Sequence, residues 1–388
     1  MPPLSLYVHT PWCVHKCPYC DFNSHELRGE LESQAYVNAL LRDLDHAIKS
    51  SLDQRPLQSI FIGGGTPSLL PAASYVELLE GIARRVPLAD DLEITLEANP
   101  GSVEAQRFQG YRAAGINRLS LGIQSFHDDK LQQLGRIHDS GQARRAIDIA
   151  RAAGFDNVNL DVMFGLPEQT PAQALADLQT AVDELPAHVS WYQLTIEPNT
   201  VFYKQPPVLP DDDAVAAMQE AGQALLAWHG YAQYEVSAYA QTDRRCRHNL
   251  NYWQFGDYLG IGAGAHAKMT EPASGIIRRQ ARHRVPASYM QLAGSRQAIT
   301  EDRPLDATDT VFEFMLNALR LTDGVPMALF QQRTGMAPDV IRAQLEQARQ
   351  RQLLCANDDY LRPTAHGRLF LNDLIGLFMP EEEVAVHG

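Results

Sequence analysis

Three cysteines lie within eight residues near the start of the chain. They are Cys13, Cys17 and Cys20, in the segment Cys-Val-His-Lys-Cys-Pro-Tyr-Cys. This C-x3-C-x2-C spacing is poorly suited to a disulfide framework and well suited to metal binding. Because the segment follows the apolar run from Leu4 to His9, we expect three thiolates to project from one loop at the end of a first strand.

A loop with three thiolates can surround one face of an iron-sulfur cluster. Three cysteines bind three irons of a 4Fe-4S cluster and leave the fourth iron open to a small chelating molecule. A structural zinc site, with His15 or His25 as the fourth ligand, is an alternative, and so is a set of buried free thiols. The cysteines alone leave all three interpretations open.

A glycine-rich motif, Gly63-Gly64-Gly65-Thr66-Pro67, follows a second apolar run. Successive glycines let a ligand approach the backbone closely and accept hydrogen bonds from its N-H groups. Alone, the motif is equally typical of a tight turn. Its place after a strand favours a ligand site next to the cysteines.

Short apolar runs alternate with amphipathic helical stripes along the first half of the chain. One stripe comprises Val37, Leu40, Leu41, Leu44 and Ile48, and another comprises Leu175, Leu178, Val182 and Leu185. The alternation predicts parallel βαβ units. Six candidate strands are Leu4 to His9, Leu57 to Ile62, Leu92 to Glu97, Asn117 to Gly122, Asn157 to Met163 and Val189 to Glu197.

Polar and glycine residues cluster where these strands end. They are His9, Gly63 to Thr66, Glu97, Gln124, Asp161 and Glu197. Ligand sites of β/α barrels lie at the carboxyl ends of the strands, although a doubly wound open sheet shares this property. With six units rather than eight, we predict an α/β fold with an incomplete (β/α)6 barrel.

Three regions are expected along the chain. Residues 1–230 form the partial barrel, 231–303 close or cap it, and 304–388 form a small, mostly helical domain. The helix order and a wing-like segment in the last region are compatible with a winged helix, which would suggest DNA binding. The net negative charge of the chain argues against DNA binding. Winged-helix domains also serve as packing modules in other proteins.

Composition indicates an ordinary globular protein. Of 388 residues, 45% are hydrophobic and 21% charged, and the net charge of -14 opposes attraction to nucleic acid or anionic lipid. No run of 18 apolar residues occurs, and the first residues lack the pattern of a secretory leader. With an odd count of five cysteines, we expect a cytoplasmic protein in a reducing compartment.

The sequence resembles the radical S-adenosylmethionine (SAM) superfamily, in which C-x3-C-x2-C follows the first strand and a glycine-rich loop ends the second. It is more closely similar to the branch that contains oxygen-independent coproporphyrinogen III oxidase and the HemW family of heme chaperones. Further motifs that carry this resemblance are Tyr7 to Cys13, Leu96 to Pro100, Gly122 to Phe126, Leu134 to His138, Asp161 to Pro167 and His248 to Trp253.

The resemblance implies that SAM chelates the open iron and that one electron cleaves it to methionine and a 5'-deoxyadenosyl radical. It also implies a set of SAM-site residues. Gly64, Gly65 and Thr66 contact the methionyl end, Glu97 receives a polar group, Tyr7 lies beside the cluster, and Tyr19, Gln124, Arg136 and Asp161 line the SAM or adjacent pocket. Taken one at a time, the polar residues of this set could equally be helix caps or charges at helix ends. Tyr7 alone could equally be an aromatic residue of the core.

Two features separate the sequence from the coproporphyrinogen-oxidising branch. That branch has a fourth cysteine where this chain has Phe22, and a longer extension where this chain has six residues before Tyr7. Both argue against coproporphyrinogen III oxidase activity. The His-Asn-x-x-Tyr-Trp motif from His248 to Trp253 matches the HemW side, and a neutral imidazole is a good ligand of heme iron.

His248 is therefore the candidate heme ligand, with a hydrogen-bonded structural histidine as the alternative. Cys246 is a second candidate ligand, and Cys355 is expected to be a buried apolar thiol. The run from Gly260 to His266 lacks the Rossmann spacing, which excludes a dinucleotide site. By the resemblance, this run packs against SAM.

The resemblance implies a radical SAM heme chaperone with a 4Fe-4S cluster, SAM and heme. Its expected partners are heme, apo-hemoproteins such as respiratory cytochromes, and an electron donor. We expect no nucleic acid, and membrane contact through recipients only. The alternatives are an anaerobic coproporphyrinogen III dehydrogenase or another radical SAM tetrapyrrole enzyme, and an interaction protein whose cysteines hold zinc.

Overall fold

The computed structural model describes residues 1–51, 55–101 and 106–380. The strands, in chain order, are β1 (Leu4–Thr10), β2 (Trp12–Cys13), β3 (His25–Glu26), β4 (Leu57–Gly64), β5 (Leu88–Ala98), β6 (Arg118–Gln124), β7 (Val158–Phe164), β8 (His188–Gln193), β9 (Ala232–Gln233), β10 (Ala238–Ala240), β11 (Asp257–Ile261), β12 (His266–Thr270), β13 (Ile277–Arg282), β14 (Ile299–Pro304), β15 (Val325–Pro326) and β16 (Tyr360–Leu361).

The α-helices are α1 (Ser33–Ser51), α2 (Ala72–Ala83), α3 (Phe108–Ala113), α4 (Asp128–Gln133), α5 (Ser140–Ala152), α6 (Pro171–Asp183), α7 (Val201–Lys204), α8 (Asp212–Trp228), α9 (Arg247–Trp253), α10 (Pro286–Leu292), α11 (Ala307–Ala318), α12 (Met327–Thr334), α13 (Arg342–Gln350), α14 (Ala365–Leu369) and α15 (Leu371–Gly376). Short 3-10 helices cover Pro67–Leu69, Arg296–Ala298 and Pro338–Ile341.

The six predicted strands are confirmed as β1, β4, β5, β6, β7 and β8. They lie side by side in this order, and each neighbouring pair is parallel. Helices cover the sheet, so the strands are apolar nearly throughout: every residue of β1 except Tyr7 is buried. The predicted alternation of strand and helix therefore gives the predicted parallel sheet.

A seventh parallel strand, β11, lies in the region for which the sequence predicts a cap. It pairs with the free edge of β1, with Leu4 opposite Asp257. Its sequence, Asp-Tyr-Leu-Gly-Ile, lacks a run of β-branched residues, which is why the sequence gives no strand signal here. Antiparallel strands β12 to β14 continue the sheet beyond β11, and β10 and β9 extend it beyond β8.

The sheet is open and strongly curved. Its described edges are β14 and β9, which do not pair with each other, and this confirms the incomplete barrel. One cavity of about 150 Å³ is lined by Phe61 on β4, Glu97 on β5, Ser120 on β6, Asp161 on β7 and Ser190 on β8. In a flat sheet β4 and β8 would lie about 19 Å apart, so the strands must curl around this space.

The outer layer follows the predicted helical stripes. Val37, Leu40 and Leu44 of α1 are buried against the sheet. The second stripe ends earlier than expected, because α6 stops at Asp183 and Leu185 is 76% exposed with a positive φ of 49°.

The C-terminal region is mostly helical, as predicted. Its core contains Phe314, Phe330 and Leu345, and it continues into Tyr234 and Phe255 of the preceding segment. The region boundaries at 230 and 303 stay predictions, and residues 381–388 of the expected last domain lie outside the described residues. No described helix is long and apolar enough to cross a membrane.

A buried ion pair joins α1 to β13. Asp43 Oδ1 accepts a hydrogen bond from Arg282 Nε at 3.0 Å, and both side chains are 1% exposed. The hydroxyl of Tyr289 also donates to Asp43, at 2.9 Å. Because charges removed from water need a partner, these contacts constrain how the β11 to β14 segment packs on the barrel.

We predict that Asp43→Ala lowers the free energy of unfolding by about 3–5 kcal/mol, because it leaves the Arg282 charge buried without its carboxylate. Urea denaturation measures this change. Asp148→Ala is the matched control, since its pair with Arg151 is solvent-exposed, and it should change stability far less. Equal effects of the two substitutions would contradict the stabilising role of the buried pair.

Candidate functional site

The three loop cysteines line one cavity of about 320 Å³ at the carboxyl ends of the strands. Cys13 ends β2, and its carbonyl accepts a hydrogen bond from Leu27 N, which fixes the start of the loop. All three are free cysteines. Burial raises the pKa of the Cys13 and Cys20 thiols, so both stay uncharged at neutral pH until a metal displaces the protons.

The spacing of these cysteines bears on the identity of the metal. Among the described residues, one group of three or more His, Cys, Asp or Glu ligand atoms lies within 4.8 Å of one another, and it is Glu93, Cys246 and His248. The loop cysteines, all of them described, form no such group. Tetrahedral zinc at about 2.3 Å from each sulfur requires sulfurs about 3.8 Å apart, whereas a cubane places each cysteine on a different iron. Both kinds of centre need thiolate ligands, and the three loop cysteines can supply them.

The glycine-rich loop packs directly on the cysteine segment. Gly65 N and Thr66 N donate to the carbonyls of Thr10 and Trp12, each at 2.7 Å, and Gly64 N donates to Glu97 Oε2 at 3.1 Å. A Cβ on Gly65 would lie 2.6 Å from Trp12 O. These N-H groups are thus bonded within the protein, which corrects our expectation that they donate to a ligand. Close packing is what requires glycine here.

Glu97 and Asp161 form the acidic part of the cavity. Burial and the nearby Asp161 raise the pKa of Glu97 to about 8, although Gly64 N-H opposes this shift. Burial also raises the pKa of Asp161, which accepts hydrogen bonds from Ser120 and Asn159. Glu97 is therefore largely protonated at neutral pH and can donate as well as accept a hydrogen bond.

Arg136 brings a positive charge to the same cavity. Its Nη2 donates to Asn99 Oδ1 at 2.7 Å and to Gly122 O at 2.8 Å, and its Nη1 lies 3.7 Å from Cys17 Sγ. Its Nε is buried and has no hydrogen-bond partner within the part of the chain that the structure describes. A buried donor without a partner is costly, so this group is available to an acceptor.

Gln124 and Tyr19 complete the wall. Gln124 adopts a left-handed φ of 70° at a register shift between β6 and β7, and Tyr192 donates its hydroxyl hydrogen to Gln124 Oε1 at 2.8 Å. Burial strongly raises the pKa of Tyr19, which keeps its phenol neutral. A non-glycine residue at positive φ is a local strain that the surrounding contacts must hold in place.

The cavity thus brings together nearly all of the predicted site residues. They are Cys13, Cys17, Cys20, Tyr19, Gly64, Gly65, Thr66, Glu97, Gln124, Arg136 and Asp161. The neutral thiols, the unsatisfied Arg136 Nε and the protonated Glu97 suit an anionic, chelating ligand next to a metal. These residues fit a 4Fe-4S cluster with SAM.

Tyr7 is placed in an adjoining cavity of about 490 Å³. The two cavities meet at Phe22, Gly64 and Glu97, which line both. His9 Nε2 bonds the carbonyl of Asn23, so its Nδ1 accepts from the Tyr7 hydroxyl at 2.7 Å. Tyr7 therefore lines the cavity next to the one that holds the cysteines, and its place beside the cluster stays a prediction.

His248 is not open to either large cavity. Its side chain is 6% exposed and stacks on Phe61, with ring centroids 4.1 Å apart. Nδ1 lies 3.1 Å from Cys246 Sγ and 3.4 Å from Glu93 Oε1. Among the described cavities, His248 lines only the one of about 150 Å³. This volume is below the usual range for small-molecule sites. His248 thus faces Cys246 and Glu93 rather than a large cavity, and its heme role stays a prediction.

The residues of the cysteine cavity to which sequence reasoning assigned no role include Asn99, Ser120 and Tyr192. Asn99 lies in the quoted Leu96 to Pro100 motif, and its Nδ2 donates to Thr66 Oγ1 at 3.0 Å. The other two lie on predicted strands. Their inward orientation depends on the curvature of the sheet, which no local sequence signal reports.

Family models match most of the chain. The model of the Radical SAM superfamily matches residues 7–181, and the model of the HemN C-terminal domain matches residues 305–370. Coproporphyrinogen III oxidase from Escherichia coli, described as a radical SAM enzyme, has a similar fold with a TM-score of 0.81 over 97% of this chain and 90% of that one. Its identity of 23% shows the fold alone.

Full-length relatives are more similar in sequence. The heme chaperone HemW of Haemophilus influenzae is 50% identical over 385 residues, which cover 98% of this chain and 99% of that protein. The heme chaperone HemW of Escherichia coli is 52% identical over 381 residues, with coverage of 98% and 99%. A Bacillus subtilis heme chaperone HemW is 33% identical over 97% of this chain and 99% of that protein.

We predict that Glu97→Gln changes how stability depends on pH. The folded protein keeps a proton on Glu97 up to about pH 8, whereas the unfolded chain releases it near pH 4.5, the ordinary pKa of a glutamate side chain. The folded state thus binds more protons in this window, and the contribution of Glu97 to stability falls as pH rises. The stability of Glu97→Gln relative to wild type should rise from about pH 5 to 8 and then level off.

Urea denaturation of the metal-free proteins over this pH range provides the measurement. Glu80→Gln on the exposed face of α2 is the control and should show a constant difference from wild type. If the stability of Glu97→Gln relative to wild type does not change with pH, this carboxyl is ionised in the folded protein.

Proposed function

The chain belongs to the HemW family of radical SAM proteins, and from that premise we propose that it is a heme chaperone that binds heme and transfers it to apo-hemoproteins. The observation that carries the proposal is the pair of joined cavities. One collects three cysteines with the glycine-rich loop, and the other is large and mainly apolar. Full-length identity to named heme chaperones supports it.

We propose that Cys13, Cys17 and Cys20 hold a 4Fe-4S cluster whose fourth iron takes SAM. When bound, the cluster supplies one-electron chemistry to SAM. The proposed SAM site is lined by Tyr19, Gly64, Gly65, Thr66, Glu97, Gln124, Arg136 and Asp161. Arg136 supplies a charge and an unsatisfied donor for a carboxylate, and the protonated Glu97 supplies a donor or acceptor.

The large cavity suits a flat apolar ligand. Its wall includes Phe22, Phe61, Trp253, Phe255 and Tyr258. Aromatic faces offer stacking surface for a porphyrin. Tyr252 and Trp253 of the His-Asn-x-x-Tyr-Trp motif lie on this wall, although His248 of the same motif does not.

Phe22 also distinguishes this proposal from coproporphyrinogen oxidation. It is 59% exposed and lines both cavities, in place of the fourth cysteine of the oxidising branch. A phenylalanine here offers contact surface and no ligand or redox group. The proposed partners are apo-hemoproteins such as respiratory cytochromes and a reductant for the cluster, and the proposed location is the cytoplasm.

The test is heme transfer from anaerobically reconstituted protein. We expect the heme-loaded protein to convert an apo-cytochrome b to its holo form, measured by the Soret band, in the presence of serum albumin. Albumin captures free heme, so conversion under these conditions reports direct transfer. Heme mixed with albumin and the apo-cytochrome is the control and should convert little.

Two results would count against the proposal. One is conversion no faster than in the albumin control. The other is turnover of coproporphyrinogen III to protoporphyrinogen when SAM and a reductant are added, which would make the chain an enzyme of tetrapyrrole synthesis.

A further inference from the structure

The large cavity contains a histidine with no assigned role. His266 begins β12, and its side chain lines the cavity. Within residues 1–51, 55–101 and 106–380, its ring makes no hydrogen bond and no ion pair. The other histidine on the wall, His9, uses both ring nitrogens, on Tyr7 and on Asn23. His266 thus has a ring nitrogen available for a ligand in this space.

The environment of His266 suits iron binding. Burial and the charges of Arg279 and Arg284 lower its pKa, and Glu301 opposes them only in part. Its imidazole is therefore neutral at physiological pH, and a neutral imidazole nitrogen is the form that binds heme iron.

Arg284 supplies a free positive charge on the same wall. Arg279 is paired with Glu313, and Lys268 is paired with Asp257 at 2.8 Å. The guanidinium of Arg284 has no carboxylate partner among the described residues, and the side chain is exposed at the cavity. A heme propionate is a carboxylate that a guanidinium can bind with two hydrogen bonds.

The size and lining of the cavity agree with such a ligand. Its volume of about 490 Å³ lies within the range of small-molecule sites, and its wall includes the aromatic side chains of Phe22, Phe61 and Trp253. Asp21 and Glu97 are the acidic residues on the described wall, and Glu97 carries its proton up to a pKa of about 8. Repulsion of propionates is thereby reduced on the side that faces the cysteine cavity.

We propose that heme binds in this cavity with His266 as the iron ligand and Arg284 as the partner of a propionate. The inference rests on the proposed function, because it names the site at which the chaperone holds its cargo. It reassigns the ligand from His248, whose nitrogens face Cys246 and Glu93 in the interior. Heme held here lies next to the residues proposed for the cluster, since Phe22, Gly64 and Glu97 line both cavities.

The test compares iron and metal-free porphyrin in the reconstituted full-length protein. We expect His266→Ala to weaken heme binding at least tenfold and to shift the Soret band, because the iron loses its nitrogen ligand. Binding of metal-free protoporphyrin IX should change less than twofold, because it has no iron to ligate. Added imidazole should restore the wild-type Soret position in His266→Ala.

A matched control is His229→Ala, an exposed histidine just after α8, which should leave the heme spectrum unchanged. Arg284→Gln should weaken heme severalfold and leave heme dimethyl ester, which lacks carboxylates, unaffected. Because His266 is exposed, its variant should keep the wild-type unfolding temperature, which separates loss of a ligand from loss of the fold.

Different results separate this inference from the function it rests on. If wild type binds heme and His266→Ala has the same affinity and spectrum, the site assignment is wrong while the chaperone proposal stands. If His248→Ala alone loses the heme spectrum and remains folded, His248 is the ligand. If wild type binds no heme, the proposed function itself fails.

Discussion

Two backbone hydrogen bonds fix the position of the glycine-rich loop relative to the cysteine loop. Gly65 N and Thr66 N, just after β4, donate to the carbonyls of Thr10 and Trp12, just before the first cysteine. The parallel pairing of β1 with β4 brings these two strand ends together, and the missing side chain of Gly65 lets the loops touch. The metal-binding loop and the ligand loop therefore form a single unit.

Curvature of the sheet turns this pair of loops into a site. Glu97, Gln124 and Asp161 come from successive strands, and they meet only because β4 to β8 curl around an internal space. Their proximity has an electrostatic consequence, since Asp161 helps to raise the pKa of Glu97. Strands β11 to β13 of the same sheet supply part of the wall of the second cavity, through Tyr258, His266 and Arg279.

The parallel core was predictable from the sequence because its signals are local. Apolar runs bounded by glycine and polar residues located the six strands, and motif spacing located the cysteine and glycine loops. No local signal marks β11, because this strand contains no run of β-branched residues and its partner β1 is distant in sequence, with Leu4 opposite Asp257. Pairing over such a distance leaves no local pattern.

The direction of individual side chains was the second feature that could not be predicted from the sequence. His248 has a residue type and a motif that suggest heme binding, yet the turn of α9 carries it inward onto Phe61, while its neighbours Tyr252 and Trp253 reach the large cavity. His266 gave no signal beyond its place after a glycine run. Helix orientation and strand pairing decide which histidine meets solvent, and both are tertiary properties.

The central claim is that three cysteine ligands leave one iron position open to SAM. Electron paramagnetic resonance of the anaerobically reconstituted, reduced protein, recorded before and after SAM is added, tests it most directly. We expect a 4Fe-4S signal that changes when SAM binds and that is lost in Cys17→Ser. A signal indifferent to SAM, or uptake of zinc with no cluster, would contradict it.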